Sequence, residues 1–212
     1  GNKYLAVVDG VAGPEYDSIE KGTPIFSLGG ERFAYVAEEG EKQLVVVEGM
    51  AGRECEGVLE GSLVLSPDGK RVAYGVRVDG KWCVVVDGVQ GPAYDGIDGG
   101  APAFSPDGKH VAYMAVKGKE AFAVVDGIEG PQYDEIAEGS LSFSADSRRV
   151  AYAALKGGKW HAVVDGVEGP GYDAMARGHP CFSPDGRRVT YSARNGEKRR
   201  VSVDGVERPE YD

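Results

Sequence analysis

The chain has 212 residues, a net charge of −10, and 27% charged against 42% hydrophobic residues, the balance of a folded globular domain rather than a disordered chain. The acidic balance opposes binding to nucleic-acid phosphates. No apolar run approaches the roughly 18 residues of a membrane span, no signal-peptide pattern opens GNKYLAVVDG, and three scattered cysteines give no disulfide framework.

Residues 3–19 read as two short strands around the turn Asp9-Gly10. That pair returns every 39 residues, with the acidic-Gly turn at Glu48, Asp87, Asp126, Asp165 and Asp204. Three further series keep the same step: Phe26, Leu65, Phe104, Phe143, Phe182; Tyr35, Tyr74, Tyr113, Tyr152, Tyr191; and Tyr16, Cys55, Tyr94, Tyr133, Tyr172, Tyr211. From residue 22 onward each unit reads as four strands. In the third unit these are A, PAFSP (102–106); B, KHVAYMAV (109–116); C, AFAVVD (121–126); and D, IEGPQYDEI (128–136). β-Branched and aromatic residues fill these runs, turn residues bound them, and no 3.6-residue apolar period suggests a helix.

Ser-Pro-Asp-Gly turns join A to B, and Asp-Gly, which accepts positive φ at both central positions, joins C to D. Each unit is thus an antiparallel meander. Pro14, Pro92, Pro131, Pro170 and Pro209 fall in D. Proline cannot donate to a β ladder, so D is the outer edge and A the inner strand. Four-stranded meanders repeated about an axis make an all-β propeller, here a single domain over residues 1–212. It comprises a half repeat (1–19) and blades at about 22–60, 61–99, 100–138, 139–177 and 178–212. The twenty-two strands lie between the twenty of a five-bladed and the twenty-four of a six-bladed ring. Unburied inner faces are costly, so five blades are favoured over six, with the extra terminal hairpin free to self-associate.

The run Phe104-Ser105-Pro106-Asp107-Gly108-Lys109, followed by Ala112-Tyr113, resembles the WD40-like repeat of bacterial propellers, the TolB type also found in prolyl-oligopeptidase-like proteins. Phe182–Gly186 and Ser66–Gly69 match it too. Ser27-Leu28-Gly29-Gly30 and Ser144-Ala145-Asp146-Ser147 depart from it. The resemblance implies the propeller fold and says almost nothing of function, because the motif residues shape turns and blade cores.

Candidate chemistry is sparse. His110, His161 and His179 occupy three different repeat positions and read as isolated side chains. Cys55, Cys83 and Cys181 read as small core hydrophobes. Ser27, Ser66, Ser105, Ser144 and Ser183 recur too often for a catalytic serine and read as turn hydroxyls. Acidic residues recur at three repeat positions as turn chemistry, without the D-x-D-x-D-G pattern of a calcium loop. Trp82 and Trp160 share one position with Tyr4 and read as outer-strand packing. No catalytic residue, metal site or cofactor is expected.

What varies between repeats is the B–C connection: Glu38-Glu39-Gly40-Glu41, Arg77-Val78-Asp79, Lys117-Gly118-Lys119, Lys156-Gly157-Gly158 and Arg194-Asn195-Gly196-Glu197. On that face Thr23, Ser62, Ala101, Ser140 and His179 should surround the central opening, with Thr23, Ser62, Ser140 and His179 as candidate ligand contacts. Three readings follow: a non-enzymatic scaffold presenting this face to a protein or peptide, a small-ligand or glycan binder, or a recently amplified or engineered repeat without a specific activity.

Overall fold

The computed structural model describes residues 2–175 and 180–207. Every regular element among them is a strand. The half repeat is a hairpin of β1 (Tyr4–Val8) and β2 (Val11–Tyr16). The first full repeat holds β3 (Ser18–Ile19), β4 (Ile25–Phe26), β5 (Phe33–Glu39), β6 (Lys42–Val47) and β7 (Met50–Ala51). The second holds β8 (Gly57–Val58), β9 (Val64–Leu65), β10 (Val72–Val78), β11 (Lys81–Val86) and β12 (Val89–Gln90). The third holds β13 (Gly96–Phe104), β14 (Val111–Lys117), β15 (Glu120–Val125) and β16 (Ile128–Tyr133). The fourth holds β17 (Glu135–Ile136), β18 (Ser142–Phe143), β19 (Val150–Lys156), β20 (Lys159–Val164) and β21 (Val167–Tyr172). The fifth holds β22 (Ala174–Met175), β23 (Cys181–Phe182), β24 (Val189–Asn195), β25 (Lys198–Val203) and β26 (Val206–Glu207). The chain forms two compact units, Gly1–Phe104 and Ser105–Asp212.

All pairings are antiparallel, and each full repeat is a meander of the β-propeller blade type. In the first repeat β5 runs beside β6 with Tyr35 opposite Val46, and β6 runs beside β7. The turns follow from their residues. Asp9, Glu48, Asp87, Asp126, Asp165 and Asp204 all take φ of 50 to 55°, each followed by a glycine at 76 to 80°. That is the primed turn whose twist matches paired strands. Proline sits where a ladder can spare it. Between Phe122 and Val124 the register of β15 with β16 shifts, so Gly130-Pro131 bulges opposite Ala123.

One strand assignment is corrected. Segment D does not run on through Asp134-Glu135-Ile136. The chain leaves the outer edge at Tyr133, and β17 pairs with β19 on the inner side of the next sheet. The inner position is therefore built from two short pieces, β17 and β18, both on β19. In the third repeat they are continuous, as β13.

Apolar residues of both faces pack sheet against sheet within each unit. In unit 1, Ala6 and Tyr16 of the hairpin cover Tyr35, Ala37, Leu44 and Val46. Ala34, Val36 and Val45, on the other face of that sheet, pack against Val72, Tyr74 and Val76. In unit 2, Ala162 and Tyr172 cover Val189, Tyr191 and Ala193. Tyr16 meets Tyr35 edge-on at 6.2 Å, and Tyr172 meets Tyr191 at 6.0 Å, so the recurring tyrosines are blade-to-blade packing.

Candidate functional site: the two ends of the sheets

At one end of each sheet the recurring polar residues are consumed by turns. The Ser66 hydroxyl donates to Asp68 Oδ1 at 2.7 Å and accepts the Arg71 amide at 2.9 Å, while Asp68 Oδ1 also accepts the Lys70 amide. Ser105 with Asp107, Ser144 with Asp146 and Ser183 with Asp185 repeat this geometry. The serine hydroxyl, then the turn amide, holds the Asp68, Asp107 and Asp185 carboxyls below the usual range. Ser66, Ser105 and Ser144 are buried.

The acid of the outer turn closes the same end. Asp87 Oδ1 accepts the Val72 amide at 2.9 Å and Oδ2 accepts Arg71 Nε at 2.8 Å. Asp165 and Asp204 do the same with Val150 and Arg149, and with Val189 and Arg188. His110 stands in the Arg position and pairs with Asp126 at 2.6 Å. His161 Nδ1 lies 2.9 Å from the Gly169 carbonyl. His179 lies outside the described residues.

At the opposite end the Tyr-Asp acid ties one repeat to the next. Asp17 accepts the Gly40 amide at 2.9 Å, Asp134 that of Gly157 at 2.8 Å, and Asp173 that of Gly196 at 2.7 Å; Glu56 reaches Gly80 at 3.2 Å. These glycines form the two-residue B–C tips. Around them Glu41, Asp79, Lys119 and Glu197 are exposed and make no hydrogen bond or ion pair among the described residues.

Thr23, Ser62 and Ser140 each lie in the tight turn between the two inner pieces, where their amides reach Glu20, Leu59 and Ala137 carbonyls. Ser62 and Ser140 are fully buried, and their hydroxyls accept the amides of Gly75 (2.9 Å) and Ala153 (3.1 Å) at mid-strand. The Thr23 hydroxyl donates to the Glu20 carbonyl at 2.7 Å. Cys55 and Cys83 are core residues whose thiols burial pushes up, while Cys181 departs from that expectation and is exposed. Among the described residues no three His, Cys, Asp or Glu side chains converge as a metal would need.

A recurring cleft was not read from the sequence. It lies between the outer strand of one repeat and the turn of the next. In unit 1 it measures ≈ 390 Å³, between Ala6, Val11, Gly13, Tyr35 and Glu48. In unit 2 it measures ≈ 440 Å³, between Ala162, Val167, Gly169, Tyr191 and Asp204. The buried Tyr35 and Tyr191 hydroxyls have no hydrogen-bond partner among the described residues. The signal was the glycine recurring at Gly13, Gly52, Gly91, Gly130 and Gly169, which leaves room for the phenol: a Cβ on Gly169 would stand 3.4 Å from the Tyr191 hydroxyl.

No protein-family model matches the chain, and no curated protein matches it. Solved structures do. TolB from Acinetobacter baumannii is 19% identical, matched over 90% of this chain and 53% of its own, with a TM-score of 0.46. A eukaryotic initiation factor is 12% identical over 91% and 55%, with a TM-score of 0.54. A prolyl endopeptidase is 14% identical over 93% and 43%, with a TM-score of 0.40. The chain spans about half the length of the first two. At these identities the likeness concerns the fold alone.

Proposed function

We propose that the chain is a non-enzymatic propeller scaffold whose B–C tips contact a protein or peptide. One observation carries this reading. The side chains that recur in every repeat are spent on holding sheets and turns, whereas the tips vary (Glu41 and Glu197, Asp79, Lys119, and the uncharged Gly157-Gly158) and keep their charges in solvent. Unlike charges on a rigid frame discriminate between partners more than they add affinity. The test places a photo-crosslinking side chain at Glu41, Lys119 or Glu197, and at Asp68 on the turn end as a control. The reading expects partner capture from the tip positions alone. Equal capture from Asp68 contradicts it.

The Tyr clefts favour a second reading, a small polar-aromatic or sugar ligand held once per repeat boundary. Titration with a panel of monosaccharides, followed by tyrosine NMR signals, expects saturable shifts, of which Tyr191→Phe abolishes those of its own cleft. Flat titrations across the panel count against it.

A further inference from the structure

The boundary between the first and second full repeats departs from its siblings at two positions that meet in one cavity. Where Pro14, Pro131 and Pro170 stand at other boundaries it has Arg53, and where Tyr16, Tyr133 and Tyr172 stand it has Cys55. Each of those three tyrosines meets the tyrosine of the next repeat edge-on: Tyr16 with Tyr35 at 6.2 Å, Tyr133 with Tyr152 at 5.9 Å, and Tyr172 with Tyr191 at 6.0 Å. Tyr74, the equivalent of Tyr35, shares its apolar cluster with the small Cys55 instead. The missing phenol leaves a larger space. The cavity here measures ≈ 520 Å³, against ≈ 390 and ≈ 440 Å³ for the clefts at two other boundaries, and Cys55 and Tyr74 both line it. That volume suits a small organic ligand. Its wall is also more apolar, because Val76 and Val78 stand where other boundaries carry Ala37 and Glu39 or Ala154 and Lys156. The thiol adds no reactivity. Cys55 Sγ lies 3.1 Å from the Gln43 carbonyl oxygen, and burial pushes its pKa up, so it serves as a neutral apolar wall.

Three polar groups face this space. Tyr74 is 8% exposed, and its hydroxyl has no hydrogen-bond partner among the described residues. A buried hydroxyl in that state is costly and gains from a ligand that supplies the partner. The hydroxyl lies beside Gly52, whose added Cβ would stand 3.6 Å from it, and Gly52 precedes Arg53. Arg53 and Glu54 line the exposed side of the cavity, and neither makes a hydrogen bond or ion pair among the described residues. The main chain that carries them is fixed on both sides, because the Gly52 and Cys55 amides donate to the Val45 and Gln43 carbonyls at 2.8 Å. An apolar hollow the width of a ring thus ends in one cation and one anion. We propose that this cavity binds a free aromatic α-amino acid. The ring fills the hollow beside Cys55 and packs on Tyr74 and Val76. The carboxylate pairs with Arg53, whose planar fork suits it, and accepts the Tyr74 hydroxyl; the ammonium pairs with Glu54. A neutral sugar would leave both charges unused, and a plain aromatic acid would set its charge beside Glu54.

The probe is L-phenylalanine, titrated into the full chain and followed by the NMR signals of the Tyr74 ring and the Cys55 amide. Phenylacetate lacks the ammonium, phenethylamine lacks the carboxylate, and L-alanine lacks the ring. Saturable binding of L-phenylalanine is expected, with each of the three analogues about ten-fold weaker or more. Arg53→Pro and Cys55→Tyr install the residues that the sibling boundaries carry. Arg53→Pro should erase the advantage of L-phenylalanine over phenethylamine, and Glu54→Gln its advantage over phenylacetate. Cys55→Tyr closes the hollow and should abolish binding. Should it fail to fold against Val76, Cys55→Tyr combined with Val76→Ala restores both sibling residues and makes the same test. No saturation at about 10 mM L-phenylalanine, equal binding of L-alanine, binding unchanged once the hollow is closed, or binding unchanged in both Arg53→Pro and Glu54→Gln overturns the proposal. The proposal rests on the cleft reading for its place, yet the two fail separately. A flat sugar panel leaves it standing, and its own failure leaves the other clefts and the B–C tips as read.

Discussion

Asp173 accepts the main-chain amide of Gly196 at 2.7 Å, so a carboxylate leaving one sheet caps the hairpin tip of the next. Lys159 binds the same carboxylate at 2.6 Å, and the ammonium, followed by the amide, holds its carboxyl below the usual range. Equivalent bonds from Asp17 and Asp134 make this link a repeat property rather than a local accident.

Stability should therefore fall in acid. Asp17, Asp68, Asp107, Asp146, Asp173, Asp185 and Asp204 all have folded pKa values depressed by hydrogen bonds to the carboxylate. Each contributes stability that is full above the ordinary Asp value of 3.8 and is lost as pH falls through the folded value. Glu168, held below its usual range first by Lys156, adds an eighth group, and Glu20, raised by burial and by Glu60, runs the other way. Thermal melts from pH 7 to pH 2 should show a plateau and then a decline beginning near pH 4 to 5. A melting temperature that rises below pH 4 contradicts this assignment.

Ser140→Ala should cost about 1–3 kcal/mol, because it leaves the Ala153 amide buried without an acceptor. Urea denaturation measures it. A change below about 0.5 kcal/mol would mean that the hydroxyl is dispensable.

This serine also shows what the sequence could and could not tell. The repeat, the turns and the proline-bearing outer edge were legible because each depends on residues within a few positions, such as Asp126-Gly127 or Gly130-Pro131. Ser62 and Ser140 are read from the sequence as lining an opening because they are small, polar and at the start of the inner strand. Their partners, Gly75 and Ala153, lie thirteen residues away on a neighbouring strand, and no local pattern announces such a bond. The crossing at Asp134 was hidden for the same reason: Glu135-Ile136 suits a strand on either side, and pairing with Leu155 and Ala154 decides which.

The glycines of the outer strand should rank by space. A Cβ on Gly52 would stand 2.9 Å from the Val45 carbonyl oxygen, against 3.1 Å for Gly130 and Gly169 and 3.3 Å for Gly13 in their equivalent contacts. Backbone cannot move aside as a side-chain tip can. Gly52→Ala should lower the melting temperature most and Gly13→Ala least, as scanning calorimetry would show. The reverse order contradicts the reading.

The first turn can be improved. Leu28 is exposed, and Gly29 stands where the other turns hold the Asp that accepts the serine hydroxyl. Leu28→Pro with Gly29→Asp should raise stability by about 0.5–1 kcal/mol, by stiffening the unfolded chain. Unchanged or lowered stability in urea would show that this turn differs from its siblings.

The most direct test of the account separates frame from tips. All five B–C tips are replaced by Asn-Gly, a neutral turn of the same length, and the variant is measured for its melting temperature and for binding of the partner captured at Glu41. The account predicts a melting temperature within a few degrees of the parent and loss of the partner. A folded variant that keeps the partner would contradict it, because the contact surface would then lie on the repeated frame.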